Sequence, residues 1–134
     1  MELSVPTSPS WLAGLRRAAR AYLRGVSDEV ADDVVLALNE AATNAMRYGS
    51  SGGQPIQVLV HVSDNWVEVS VLDHGPQAPP ALPATADTDE LHVGGRGLWL
   101  LRRLVDEVRL ERVKLGTRVT LRRPTGPAAT LRSG

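Results

Sequence analysis

Apolar positions along this chain recur at two periods, and the switches between them mark out its elements. From Ser10, SWLAGLRRAARAYLRG places Trp11, Leu15, Ala18, Ala19, Tyr22 and Leu23 on one helical stripe, with Ser10 as N-cap and Gly25 as stop. Ser27 caps a second helix, whose first turn carries Asp28 and Glu29, favourable at the positive end of the helix dipole. That helix runs to about Tyr48 and ends in the breaker cluster GSSGGQP. The period then drops to two. In PIQVLVHV, Ile56, Val58, Val60 and Val62 alternate with Gln57, Leu59 and His61, and residues 63–65 make a turn. In WVEVSVLD, Val67, Val69 and Val71 line one face while Trp66, Glu68, Ser70 and Leu72 line the other. GGRGLWLLRRLVDEV returns to the helical period, and strands follow around residues 108–113 and 117–123.

Between these elements, residues 74–93 hold four prolines and no periodicity. A stretch of that length inside a compact domain is a functional lid or is disordered. The order helix, helix, hairpin, lid, helix, hairpin predicts an α+β fold: a two-layer α/β sandwich, its mostly antiparallel mixed sheet covered on one face by helices. Residues 1–9, broken by Pro6 and Pro9, read as a flexible N-terminus, residues 10–123 as one domain, and residues 124–134 as a flexible tail.

Two positions break the apolar pattern in an informative way. Glu40 and Asn44 stand four residues apart among Ala37, Leu38, Ala41, Ala42, Ala45 and Met46. That spacing stacks a carboxylate and a carboxamide on one helix face, with small neighbours that leave room for a ligand. A carboxamide oxygen is a hard ligand suited to Mg²⁺, and a carboxylate one turn away can orient or deprotonate a hydroxyl. Asp73 continues the inward register of Val67, Val69 and Val71, a costly place for a carboxylate without a specific partner. The glycines at 94, 95 and 97 open a helix whose first amides can meet an anion. Together these features describe a nucleotide site.

Composition narrows the chemistry further. The 134 residues suit a single core, and zero net charge gives no support to a nucleic-acid or anionic-membrane surface. No apolar run approaches the ~20 residues that span a bilayer, and no signal peptide is evident at the N-terminus. The chain has no cysteine, which removes disulfides and thiolate sites and agrees with a cytoplasmic setting. Lys114 is the only lysine, so phosphate recognition falls to backbone amides, arginine or a metal.

In order and spacing, the motifs resemble the GHKL (Bergerat-fold) ATPases, and within them the small bacterial anti-sigma-factor serine kinases. The run from Glu40 through Asn44 to Tyr48 is similar to that family's N box, Asp73-His-Gly75-Pro to its first glycine box, and Gly95-Arg-Gly97-Leu98 to its second. Gly116-Thr117 stands where a late Gly-Thr is expected. The resemblance implies that Asn44 is the Mg²⁺ ligand and Glu40 the base. It implies that Asp73 binds the adenine amino group with help from Thr117, and that Gly75 admits the purine. Gly95, Arg96, Gly97 and Leu98 would meet the phosphates of ATP or ADP. It further implies phosphorylation of a serine on a STAS-domain anti-sigma antagonist, sequestration of a sigma factor, and a homodimer. Two positions depart from the family pattern: Tyr48 replaces the usual His, and Gln77 the second glycine of the first box. The alternative is a non-catalytic nucleotide-binding module that sequesters a protein partner. Retention of Glu40 favours the enzyme, and Gln77 the module.

Overall fold

The computed structural model describes residues 1–48, 54–74, 97–113 and 116–125. Its elements are β1 (Glu2–Val5), α1 (Leu12–Tyr22), α2 (Asp28–Tyr48), β2 (Ile56–Val62), β3 (Trp66–Asp73), α3 (Gly97–Leu104), β4 (Glu107–Val113) and β5 (Gly116–Pro124). The strands form one sheet in the order β1-β2-β3-β5-β4, with every pairing antiparallel. The expected mixed sheet is thus antiparallel throughout the described residues. β4 occupies an edge and β5 returns between it and β3.

Alternation on the strands decides which face is covered. Val58, Val60, Val67, Val69, Val71 and Leu121 are buried against Val30, Val34, Ala37, Leu38 and Ala41 of α2 in a single core. α2 packs on β3 and β5, and both α1 and α3 pack against it. Its start follows the sequence reading: the Ser27 hydroxyl accepts the Val30 amide at 3.3 Å, satisfying one of the orphan donors of the first turn.

Three sequence expectations shift. Residues 2–5 are not a flexible start but an edge strand, in register from Glu2 opposite Leu59 to Val5 opposite Ile56. Val5 is buried, and that burial fixes the strand. Ser10 does not cap α1: its N-cap is Trp11, which makes no side-chain cap hydrogen bond, and Ser8 instead caps a 3₁₀ turn over Pro9–Trp11 that leads into it. Of the predicted stripe, Leu15, Ala19 and Leu23 are buried while Trp11 and Tyr22 stand exposed. α3 ends at Leu104, because the Asp106 amide donates to the Arg122 carbonyl and draws residues 107 and 108 into β4.

Candidate nucleotide site

The end of β3 and the start of β5 build the base of the site. Asp73 lies opposite Thr117 in the β3–β5 register, and both are buried, at 9% and 7% exposure. Oδ1 of Asp73 accepts the Thr117 amide at 3.2 Å. The carboxylate is therefore held by a backbone donor, the kind of partner its inward register demands. Gly116 makes this approach possible: a Cβ there would sit 1.9 Å from the Asp73 carbonyl oxygen and 2.9 Å from Oδ1. Thr117 Oγ1 is buried and has no hydrogen-bond partner among the described residues. An orphaned hydroxyl beside a buried carboxylate is unfavourable for the free chain and suited to the polar edge of a ligand.

α2 supplies the second wall. At its N-terminal end, Nη2 of Arg123 donates to Oδ2 of Asp33 at 3.0 Å and lies 4.0 Å from Glu29. The Arg123 side chain is 15% exposed, so the tie between helix and sheet is largely shielded. It anchors the helix start over the far end of β5. Val34 and Ala37 then lie over Val67, Val69 and Leu121. From Asp33 to Asn44 a helix rises about 16 Å, and from Arg123 to Thr117 a strand covers roughly 20 Å in the opposite sense. The second half of α2, with Glu40 and Asn44, is thereby carried toward the Asp73–Thr117 end. Glu40 and Asn44 are half-buried, while Ala41, Ala42 and Ala45 between and beside them are buried. The Thr43 hydroxyl donates to the Asn39 carbonyl at 2.7 Å.

The structure thus brings Asp73, Gly116 and Thr117 into contact, and carries Glu40 and Asn44 on the half of α2 beyond the Arg123 anchor. Gly97 begins α3 and Leu98 follows in its first turn. Gly75, Gln77, Gly95, Arg96 and most of the expected lid lie outside the described residues. No group of three or more His, Asp or Glu side chains able to hold a metal occurs among the described residues. A Mg²⁺ ion bound through one protein oxygen and substrate phosphates needs no such cluster. Arg123 carries no signal of this role in the sequence, because its partners Glu29 and Asp33 lie more than eighty positions away.

Comparison with known proteins identifies the family and the fold. Residues 5–123 match the histidine kinase-like ATPase domain. The chain is 30% identical over 125 residues to the serine-protein kinase RsbW of Bacillus pumilus, covering 83% of this chain and 77% of the relative. It is 28% identical over 120 residues to RsbW of Listeria innocua, covering 81% and 76%. Among solved structures, the RsbU and RsbW domains of Rv1364c from Mycobacterium tuberculosis align with a TM-score of 0.71 at 24% identity, covering 92% of this chain. This chain spans about a third of that structure (32%), so the likeness concerns one domain of it. The histidine kinase domain of an Erythrobacter litoralis blue-light-activated kinase aligns at 0.60 and 22% identity, covering 96% of this chain and 65% of that one.

The chain belongs to the histidine kinase-like ATPase domain family, a nucleotide-binding GHKL fold. Its relatives there are RsbW-type serine-protein kinases. No helix among the described residues is long and apolar enough to cross a membrane.

Proposed function

We propose that this chain is a Mg²⁺-dependent ATP:protein serine kinase that modifies a STAS-domain anti-sigma antagonist, and so controls a sigma factor by partner exchange. In this reading it works as a cytoplasmic homodimer. The observation that carries the reading is the buried Asp73–Thr117 pair, whose threonine hydroxyl has no partner among the described residues. A carboxylate fixed by a backbone amide accepts a hydrogen bond from an exocyclic amino group, and the adjacent threonine hydroxyl completes recognition of a purine edge. Asn44 offers its carboxamide oxygen to Mg²⁺, which when bound neutralises phosphate charge. Gly75, Gly95, Arg96, Gly97 and Leu98 complete the phosphate and base contacts. Glu40 accepts the proton of the incoming serine hydroxyl, a task that nucleotide binding alone does not require.

The direct test is transfer of label from γ-labelled ATP, with Mg²⁺, to a STAS-domain partner. Label on a partner serine, lost with Glu40→Ala, is the expected result. Tight ATP binding without transfer to any such partner would favour the sequestering module. At the base of the site, Asp73→Asn keeps the shape and removes the charge. It should weaken Mg²⁺-ADP binding by about 1–3 kcal/mol, the range for a buried hydrogen bond to a charged group. Calorimetry showing unchanged affinity would remove Asp73 from the site.

A further inference from the structure

On three neighbouring strands the inward register turns from apolar to polar in the same row. On β3, Val67, Val69 and Val71 lead to Asp73; on β5, Leu121 and Val119 lead to Thr117; on β4, Val108 and Leu110 lead to Arg112. Pairing fixes the row, since Thr117 stands opposite Asp73 on one side and opposite Arg112 on the other. The apolar members of these registers are buried in the core or packed against it, so all three polar residues lie on the helix-covered face. Burial falls along the row: Asp73 and Thr117 are buried, and Arg112 is exposed. An acid, a hydroxyl and a cation thus follow one another from the interior to solvent.

Arg112 differs in place from the other arginines of β4 and β5. Arg109, Arg118 and Arg122 belong to the outward register, paired with Thr120, Glu111 and Glu107. There Arg118 lies 3.7 Å from Glu111, and Arg122 lies 3.4 Å from Glu68. Charges on that face keep an edge strand from pairing with other chains. Arg123 faces inward, but at the other end of β5, where it donates to Asp33. Of these five, only Arg112 stands on the covered face at the Asp73–Thr117 end.

The separation along the row suits a nucleotide lying across the strands. Two strand spacings put the Cα atoms of Asp73 and Arg112 roughly 9–10 Å apart. The ribose sets the amino group of a purine and the first phosphates a comparable length apart, within reach of an arginine side chain. A guanidinium presents paired N–H donors that match phosphate oxygens bidentately, and it stays charged at any working pH. We infer that Arg112 is a further nucleotide-binding residue, contacting the phosphates of the nucleotide whose base rests on Asp73 and Thr117. The inference rests on the nucleotide reading of that pair and adds a position outside the motifs of the sequence.

The test compares ADP with adenosine, which carries the base without phosphates, and is run in EDTA so that no metal masks the guanidinium. Arg112→Gln removes the charge at an exposed position, so the melting temperature of the ligand-free chain should hold. Its ADP affinity should fall by about 10- to 100-fold, the range for losing a hydrogen bond to a charged group, with adenosine affinity unchanged. Arg112→Lys should recover part of the loss, as a point charge without the fork. Added salt should narrow the gap between the natural chain and Arg112→Gln. Asp73→Asn, by contrast, should weaken ADP and adenosine alike. A natural chain that binds neither ligand would overturn the nucleotide reading and this inference with it. If the natural chain binds both, an Arg112→Gln variant that keeps its ADP affinity, or loses both ligands equally, would overturn the role of Arg112 and leave the pocket standing.

Discussion

Glu40→Ala should leave Mg²⁺-ATP binding close to that of the natural chain and lower phosphotransfer by about 10²–10⁴-fold, the range for losing a positioned general base. The expectation follows from where the carboxylate sits. Glu40 is half-buried on α2, and its neighbours Ala41 and Ala42 are packed into the core, so the helix fixes its position. The Thr43 hydroxyl donates to the Asn39 carbonyl, and an alcohol oxygen is too weak a base to take the carboxylate's place. Truncation at a half-exposed position removes little packing, so the loss should appear in kcat and not in the melting temperature. Asn44→Ala, one turn further on, should behave differently. In the proposed reading it removes the oxygen offered to Mg²⁺, so Mg²⁺-dependent affinity itself should fall, while binding measured with EDTA should change little. Calorimetry with and without Mg²⁺, beside single-turnover transfer assays, separates the two residues. Identical profiles for both variants would show that the base and the metal ligand are not separate roles.

Much of this site is legible in the sequence because its residues contradict their own periodicity. Asp73 falls in an inward register otherwise filled by valines, and Glu40 and Asn44 interrupt a helix of alanines. Those conflicts between local pattern and chemistry are local, so a single chain displays them. What the sequence hides is set by partners far along the chain. Glu2–Val5 alternates correctly for a strand, yet four residues ending at a proline carry little signal until β2 is there to pair with them. The end of α3 is decided by the Arg122 carbonyl, sixteen positions beyond the amide it captures. Arg123 reads as one more charged residue near the end of a strand, and only the packing of α2 on β5 turns it into the anchor of the helix that bears the candidate chemistry. Arg112 gives a weaker signal still, since it looks like an ordinary strand-end charge until the register sets it beside Thr117 and Asp73.

Gly116→Ala should produce the largest structural effect of a single methyl group among the described glycines. The added Cβ would lie 1.9 Å from the Asp73 carbonyl oxygen and 2.7 Å from its carbonyl carbon, both backbone atoms that cannot rotate away. The β3–β5 ladder holds those atoms in place, with Asp73 opposite Thr117 and Leu72 opposite Arg118. Relief therefore requires the two strands to part at this end. Parting them withdraws the Thr117 amide from Oδ1 of Asp73, the contact that fixes the carboxylate. Two consequences are coupled: a loss of stability of about 1–3 kcal/mol or more, as for other overpacked sites, and a matching loss of ADP affinity. Gly14→Ala is the natural control. Gly14 lies within α1 with nothing within 4 Å of the added methyl, so helix propensity alone should raise stability by about 0.5–1 kcal/mol and leave nucleotide affinity untouched. Denaturant melts and ADP titrations on the two variants give the comparison. A Gly116→Ala chain that melts with the natural protein and binds ADP as tightly would mean that the end of the β3–β5 pair yields freely, and that Asp73 is not held in place by the contact on which the nucleotide reading depends.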